Sequence, residues 1–160
     1  MFNIILYNPQ IPPNTGNIVR LSANTGCKLH LIKPIGFNLD EKSYRRAGLD
    51  YHDMLKVNQY EDLDSCLTSL ENKNLYAITK FGSRRYSDVK YKPGENILFG
   101  SETKGLPNKV LDQIPKENQL YIPMLKDTRS LNLSNAVSLV AYEAWRQLSY
   151  INAVPFDKPK

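Results

Sequence analysis

Five short apolar runs constrain the fold of this chain more than any other feature: FNIILY (2–7), KLHLIK (28–33), NLYAITKF (74–81), NILFG (96–100) and QLYIPM (119–124). Each is rich in Ile, Leu, Tyr or Phe and bounded by Pro, Gly or Asn, the pattern of a strand between turns. Several are apolar at consecutive positions, so both faces need cover, as in parallel sheets. Helical patterns fall between the runs. Asn17 to Thr25 sets Ile18, Leu21 and Ser22 on one face and stops at Gly26, a suitable helix C-terminus. Leu63, Cys66, Leu67 and Leu70 follow i, i+3, i+4, i+7. Shorter helices are expected over Asp40 to Ala47 and after Pro107, and MLKV (54–57) reads as one more short strand. Because strand and helix alternate, the predicted fold is α/β, a mostly parallel sheet with helices on both faces.

A chain of 160 residues suits one domain, expected over 1–152, with a loosely held tail over 153–160. MFNIILYNPQ has no basic n-region and no extended apolar segment, which predicts a cytoplasmic protein without a membrane span. Cys27 and Cys66 fall inside apolar patterns and are expected to be buried thiols. Neither they nor His30 and His52 have metal-ligand spacing, so no metal is expected.

Lys and Arg number 21 against 16 acids, for a net charge of +5. Where they cluster is more telling. Lys80, Arg84, Arg85, Lys90 and Lys92 surround a single acid, Asp88, with Phe81, Tyr86 and Tyr91 interleaved. Cations grip phosphates and rings stack on unpaired bases, so this segment suits single-stranded or looped RNA; a merely solvated basic loop is the alternative.

The last helix, Ala136 to Leu148, is apolar on nearly every side. One sheet covers only one face of it, so a second subunit is predicted to cover another. Directly before it stand Ser130, Asn132, Ser134 and Asn135, more small polar residues than a helix cap needs.

The common α/β chemistries find no support. GxGxxG, GxxxxGK[ST] and GxSxG are all missing, which lowers nicotinamide, P-loop and hydrolase readings together. Three polar loops remain, each after a predicted strand: NPQIPPNTGN, GSETKGLP and MLKDTRSLNLSN. Ligands of open α/β sheets bind outside the carboxyl ends of strands, so these loops are expected to converge on a ligand that carries no phosphate.

The three loops, in this order, resemble the motifs of the SPOUT superfamily of RNA methyltransferases, and within it the small tRNA 2'-O-ribose methyltransferases that act at the wobble position. The resemblance spans almost the whole chain: IPPNTGNIVRLSANTG, RRAGLDYH, ILFGSETKGLP, and IPM with DTRSLNLSNAVSLVAYEAWRQL. It implies S-adenosylmethionine as methyl donor and S-adenosylhomocysteine as product. It also implies a homodimer and a C-terminal trefoil knot whose loops form the cofactor pocket. Ile78, Gly100, Ile122 and Ser130 match cofactor-contacting positions, with Met124 as a neighbouring apolar wall.

Arg20 matches the family's motif arginine and is expected to be catalytic, with Asn14, Glu102 and Asn132 completing the site. Read without the resemblance, Arg20 is an ordinary surface arginine and Glu102 a helix N-terminal acid. A guanidinium gives up its proton very reluctantly, so Arg20 is expected to clamp a phosphate and orient the hydroxyl rather than act as a base. RNA contacts are assigned to Arg45, Arg46, Arg84 and Arg85, and the partner to a tRNA anticodon stem-loop. Gln10 stands where relatives often carry an acid, and Ser101 where proline is common. The alternatives are the same methylation at another tRNA or rRNA site, or a silent RNA-binding dimer.

Overall fold

The structure, a computed structural model, describes residues 1–37 and 57–155. The helix expected over Asp40 to Ala47, His52, and the pair Arg45 and Arg46 lie outside the described residues. Of the expected strand 54–57, Val57 alone is described, and it opens a strand that runs on to Tyr60.

Among the described residues seven strands form one sheet: β1 Asn3–Tyr7, β2 Lys28–Ile32, β3 Val57–Tyr60, β4 Leu75–Ile78, β5 Arg84–Arg85, β6 Asn96–Phe99 and β7 Gln119–Tyr121. Their order is β3-β2-β1-β6-β4-β7-β5, and every pairing is parallel. The described helices are α1 Pro12–Thr25, α2 Leu63–Ser69, α3 Asn108–Leu111 and α4 Leu133–Gln147. Side chains alternate across each strand, so the sheet carries two cores. Ile4, Leu6, Leu29, Leu31 and Phe99 meet Ile18 of α1 and Val137, Val140 and Ala144 of α4. On the other face Ile5, Ile32, Ala77 and Leu98 meet Leu63 and Cys66 of α2 and Val110 and Leu111 of α3. The expectation of a parallel sheet covered on both faces therefore holds. Burial pushes the Cys66 thiol up to about 12 and Cys27 above its ordinary value, so both behave as packed hydrophobes.

Helix α1 starts five residues earlier than its apolar spacing suggests, at Pro12 rather than Asn17. The reason is local: two consecutive prolines hold the φ of the first turn, where a missing N–H is harmless. Ile11 precedes them and offers no capping side chain, so its cap comes from elsewhere in the chain. At the other end Gly26 adopts φ 71, the left-handed cap expected of it.

The amino ends of the strands hold a buried polar cluster. Asn3 Nδ2 donates to Asn96 Oδ1 (2.8 Å) and to the Gly94 carbonyl (3.2 Å), leaving Asn3 Oδ1 to accept from His30 Nε2 at 3.3 Å. His30 Nδ1 meets no partner among the described residues. Burial, with the Lys28 charge adding to it, lowers the His30 pKa to about 4. The unfolded state thus takes up a proton near pH 6.5 that the folded state refuses until about 4, so stability is lost as pH falls through that window. Between pH 7 and 4 this ring is expected to remove roughly 3 kcal/mol of stability. Urea unfolding of His30→Gln at both pH values checks it; an unchanged pH dependence would remove His30 from the acid sensitivity.

One connection shapes the site end of the sheet. Ile78 of β4 and Arg84 of β5 both stand opposite Leu120 of β7. Residues 79–83 therefore carry the chain across the backbone of β7, from one side of it to the other at the same level. Thr79 N–H bonds the Leu120 carbonyl and Ser83 N–H the Gln119 carbonyl, each at 2.9 Å. A Cβ on Gly82 would lie 2.3 Å from the Leu120 carbonyl carbon, so a residue without a side chain makes this crossing.

Candidate active site

The strand order reverses between β1 and β6, the place where open α/β sheets leave a crevice. Glu102, in the loop after β6, bridges it. Its carboxylate accepts from Gln10 N–H (2.9 Å), Ile11 N–H (3.1 Å) and Asn14 Nδ2 (3.0 Å). This is the missing cap of α1, supplied from across the sheet, and a negative group at a helix N-terminus is favoured by the dipole as well. The loop that carries Glu102 is closed by Ser101 and Gly105, which bond each other in both directions (3.3 and 2.9 Å).

Asn14 is buried and passes the connection on, for its Oδ1 accepts from Asn132 Nδ2 at 2.8 Å. Asn132 is the N-cap of α4; its Oδ1 accepts from Ser134 N–H (2.8 Å), Ser134 Oγ (2.7 Å) and Asn135 N–H (3.4 Å). A single chain of hydrogen bonds therefore runs from the loop after β6, through the start of α1, to the start of α4. The polar surplus before the last helix is thereby divided. Asn132 caps with one end of its amide and holds Asn14 with the other, Ser134 braces Asn132, and Ser130 stays exposed.

Three of the proposed cofactor positions fall on one rim. Strands β6, β4 and β7 are neighbours, and Ile78 ends β4, Gly100 follows β6 and Ile122 follows β7. Ile78 and Ile122 are half-buried and Met124 is 40% exposed, so they present apolar wall rather than sealed core. A Cβ on Gly100 would sit 2.2 Å from the Gly105 carbonyl carbon, which makes glycine a requirement of the tight loop. Apolar walls and backbone at the strand ends suit a ligand that carries no phosphate.

Arg20 is exposed on α1. Six residues separate it from Asn14 on one continuous helix, which puts the two about 120° apart around the axis. Helix α1 thus presents Asn14 inward and Arg20 outward. Arg84 and Arg85 are exposed on β5, a strand where a loop is expected from sequence. Arg84 donates to the Asp88 carbonyl and Arg85 Nε to the Asp88 carboxylate at 2.9 Å, an exposed pair of little worth to stability. Of the three rings interleaved with this basic segment, Tyr91 is corrected to a core position. It is 4% exposed, packs edge-on against Phe2 and Tyr76, and donates to the Tyr86 carbonyl at 2.8 Å.

Three features escaped sequence reasoning. Gly82 carries a crossing that exists only once β7 is in place. The backbone of Gln10 and Ile11 is held by a carboxylate some 91 residues away. Exposed Lys104, Lys126 and Arg129 add positive charge to the loops at this end, and their position inside the motif loops was the available signal.

Residues 1–142 match the model of the SpoU rRNA Methylase family. A protein of Escherichia coli (strain K12) named tRNA (cytidine(34)-2'-O)-methyltransferase is 53% identical over 157 residues, 98% of this chain and 100% of its own length. A solved structure described by the 2-OH methylation of C/U34 on tRNA superposes with a TM-score of 0.85 at 39% identity, covering 94% of this chain and 97% of that one. The SpoU methyltransferase AviRb from Streptomyces viridochromogenes, solved with AdoMet, shares the fold at a TM-score of 0.78 and 23% identity, over 92% of this chain and 57% of its own. The family match over most of the chain and the near-full-length identity to its relatives converge on one conclusion: this chain belongs to the SpoU methylase family.

Proposed function

We propose that this protein transfers the methyl group of S-adenosylmethionine to the ribose 2'-hydroxyl of tRNA nucleotide 34, a cytidine or modified uridine, and releases S-adenosylhomocysteine. The observation that carries the reading is the 53% identity, over 98% of the chain, to a relative named for that reaction. The bridged loops at the switch point support it from the structural side.

Ile78, Gly100, Ile122, Met124 and Ser130 would hold the cofactor, which supplies an electrophilic methyl group when bound. Arg20 reaches out from α1 to clamp the phosphate beside the reacting ribose and to orient its hydroxyl, a task suited to a planar guanidinium fork. Glu102, Asn14 and Asn132 act as positioning residues: their hydrogen bonds are already spent on one another and on two helix starts. They hold the loops after β1, β6 and β7 in fixed relation.

The C-terminal segment is read as a trefoil knot, supported by the passage of residues 79–83 over β7. Chains rarely thread, so this reading needs that specific support. Stretching the unfolded chain between its ends checks it, because a knotted chain stays shorter than its full contour. A homodimer is supported by α4, which leaves Leu139 (43%) and Tyr142 (44%) exposed one turn apart. Sedimentation as a single 18.3 kDa species would refute it. No described helix is long and apolar enough to cross a membrane.

RNA contacts are assigned to Arg84 and Arg85. Replacing both with glutamine is expected to weaken tRNA binding and to reduce the slope of log Kd against log salt by about 1 to 2. An unchanged slope takes them out of the interface. The reading as a whole is tested by incubating the protein with labelled S-adenosylmethionine and unmodified tRNA and mapping 2'-O-methylation by nucleotide. Methyl at position 34 is the expected result; transfer confined to another position or RNA would overturn the site, and no transfer to any RNA the activity.

A further inference from the structure

Phe81 is 86% exposed, the largest exposure among the big apolar side chains of the described residues. An exposed ring on a mobile tail would mean little, but this one sits on anchored backbone. Phe81 N–H donates to Thr79 Oγ1 (3.3 Å), and Gly82 N–H to the Thr79 carbonyl (3.4 Å). Thr79 and Ser83, on either side, are bonded to β7. The ring is therefore displayed from the crossing itself, three residues after Ile78 and next to the glycine pressed on Leu120. At about 3.6 Å per residue at most, that puts it within about 11 Å of chain from the cofactor rim.

Its surroundings narrow the partner. Lys80, Ser83, Arg84 and Arg85, its neighbours along the chain, are exposed, so the ring stands beside several cations. An unpaired nucleotide suits that pairing, since its base offers a π face while its phosphates meet the cations. Burial of Tyr91 leaves Phe81 as the ring of this segment most open to stacking.

We propose that Phe81 is a base-stacking residue, receiving an unpaired nucleobase of the substrate RNA beside the ribose to be methylated and holding that nucleotide against the cofactor rim. The inference rests on the proposed RNA methyl transfer. It is tested with Phe81→Ala and Phe81→Trp, using an anticodon stem-loop RNA followed by fluorescence anisotropy across a salt series and by methylation kinetics. Phe81→Ala is expected to raise the RNA Kd and KM by about 5- to 150-fold without altering S-adenosylmethionine affinity. Because stacking releases no counterions, the salt slope should stay as in the wild type, unlike that of the Arg84 and Arg85 variants. Phe81→Trp should retain affinity and lose indole emission on RNA binding.

Wild-type RNA affinity and KM in Phe81→Ala would overturn the stacking role alone, leaving methyl transfer standing. A changed sedimentation mass with unchanged RNA affinity would place the ring in a protein contact and overturn it too. If the wild-type protein neither binds nor methylates RNA, the functional reading fails and this inference falls with it.

Discussion

Arg20→Lys is expected to lower methyl transfer to tRNA by about 100- to 1,000-fold while changing S-adenosylmethionine affinity by less than about twofold. The charge survives this substitution, so the loss isolates geometry. Lysine offers a point charge on a flexible stem, whereas arginine offers a planar fork that fixes a phosphate and a hydroxyl together. A misplaced ribose forfeits the alignment that makes the transfer effectively unimolecular. Helix α1 keeps its fold in the variant because Arg20 is exposed and the helix is held by Ile18, Val19 and the Glu102 cap. Single-turnover rates, with RNA binding measured in parallel, check the prediction. A wild-type rate with unchanged RNA affinity would show that Arg20 is neither clamp nor catalytic group.

The second large effect is on stability. Gly82→Ala is expected to cost about 3 kcal/mol or more, because the added Cβ meets the Leu120 carbonyl carbon at 2.3 Å and its oxygen at 2.7 Å. Those atoms belong to the backbone of a strand paired on both sides, with β4 and β5, and cannot step aside as a flexible side chain would. A domain's whole stability is about 5 to 15 kcal/mol, so the loss is a large share of it. Gly94→Ala is the control. Gly94 has φ +82 and nothing within 4 Å of a built Cβ, so its replacement should cost only the left-handed backbone penalty of about 1 to 2 kcal/mol. Urea midpoints for the two variants compare them directly; equal losses would mean that the crossing over β7 relaxes freely.

Much of this molecule was legible residue by residue. The five apolar runs became β1, β2, β4, β6 and β7, shortened by one to four residues at their ends where loops take over. Leu63, Cys66, Leu67 and Leu70 predicted α2, because the apolar face of a short helix repeats every three or four residues. Gly26 ended α1 as its lack of a side chain allows. Reading Cys27 and Cys66 as buried thiols matches their burial. These are local or periodic signals, and local sterics decide them wherever the chain goes. The early start of α1 was also local, written in Pro12 and Pro13, but a search for apolar spacing passed over it.

Other features depended on partners far along the chain. Nothing near Ile11 shows that its helix would be capped by Glu102, nor near Asn14 that Asn132 would hold its amide. Tyr91 has the composition of an RNA-facing ring, yet Phe2 and Tyr76 enclose it. Arg84 and Arg85 look like loop residues until β7 gives them an edge to pair with. By itself the sequence determined that strands and helices alternate, that several strands are buried on both faces, and which loops carry polar chemistry, because propensity and periodicity act over a few residues. Tertiary structure alone decided that β7 enters between β4 and β5, and that the starts of α1 and α4 share one hydrogen-bonded chain with Glu102. Hydrogen bonds and steric exclusion are short-ranged in space, whatever the distance in sequence, so those pairings came into being only when the sheet brought their ends together.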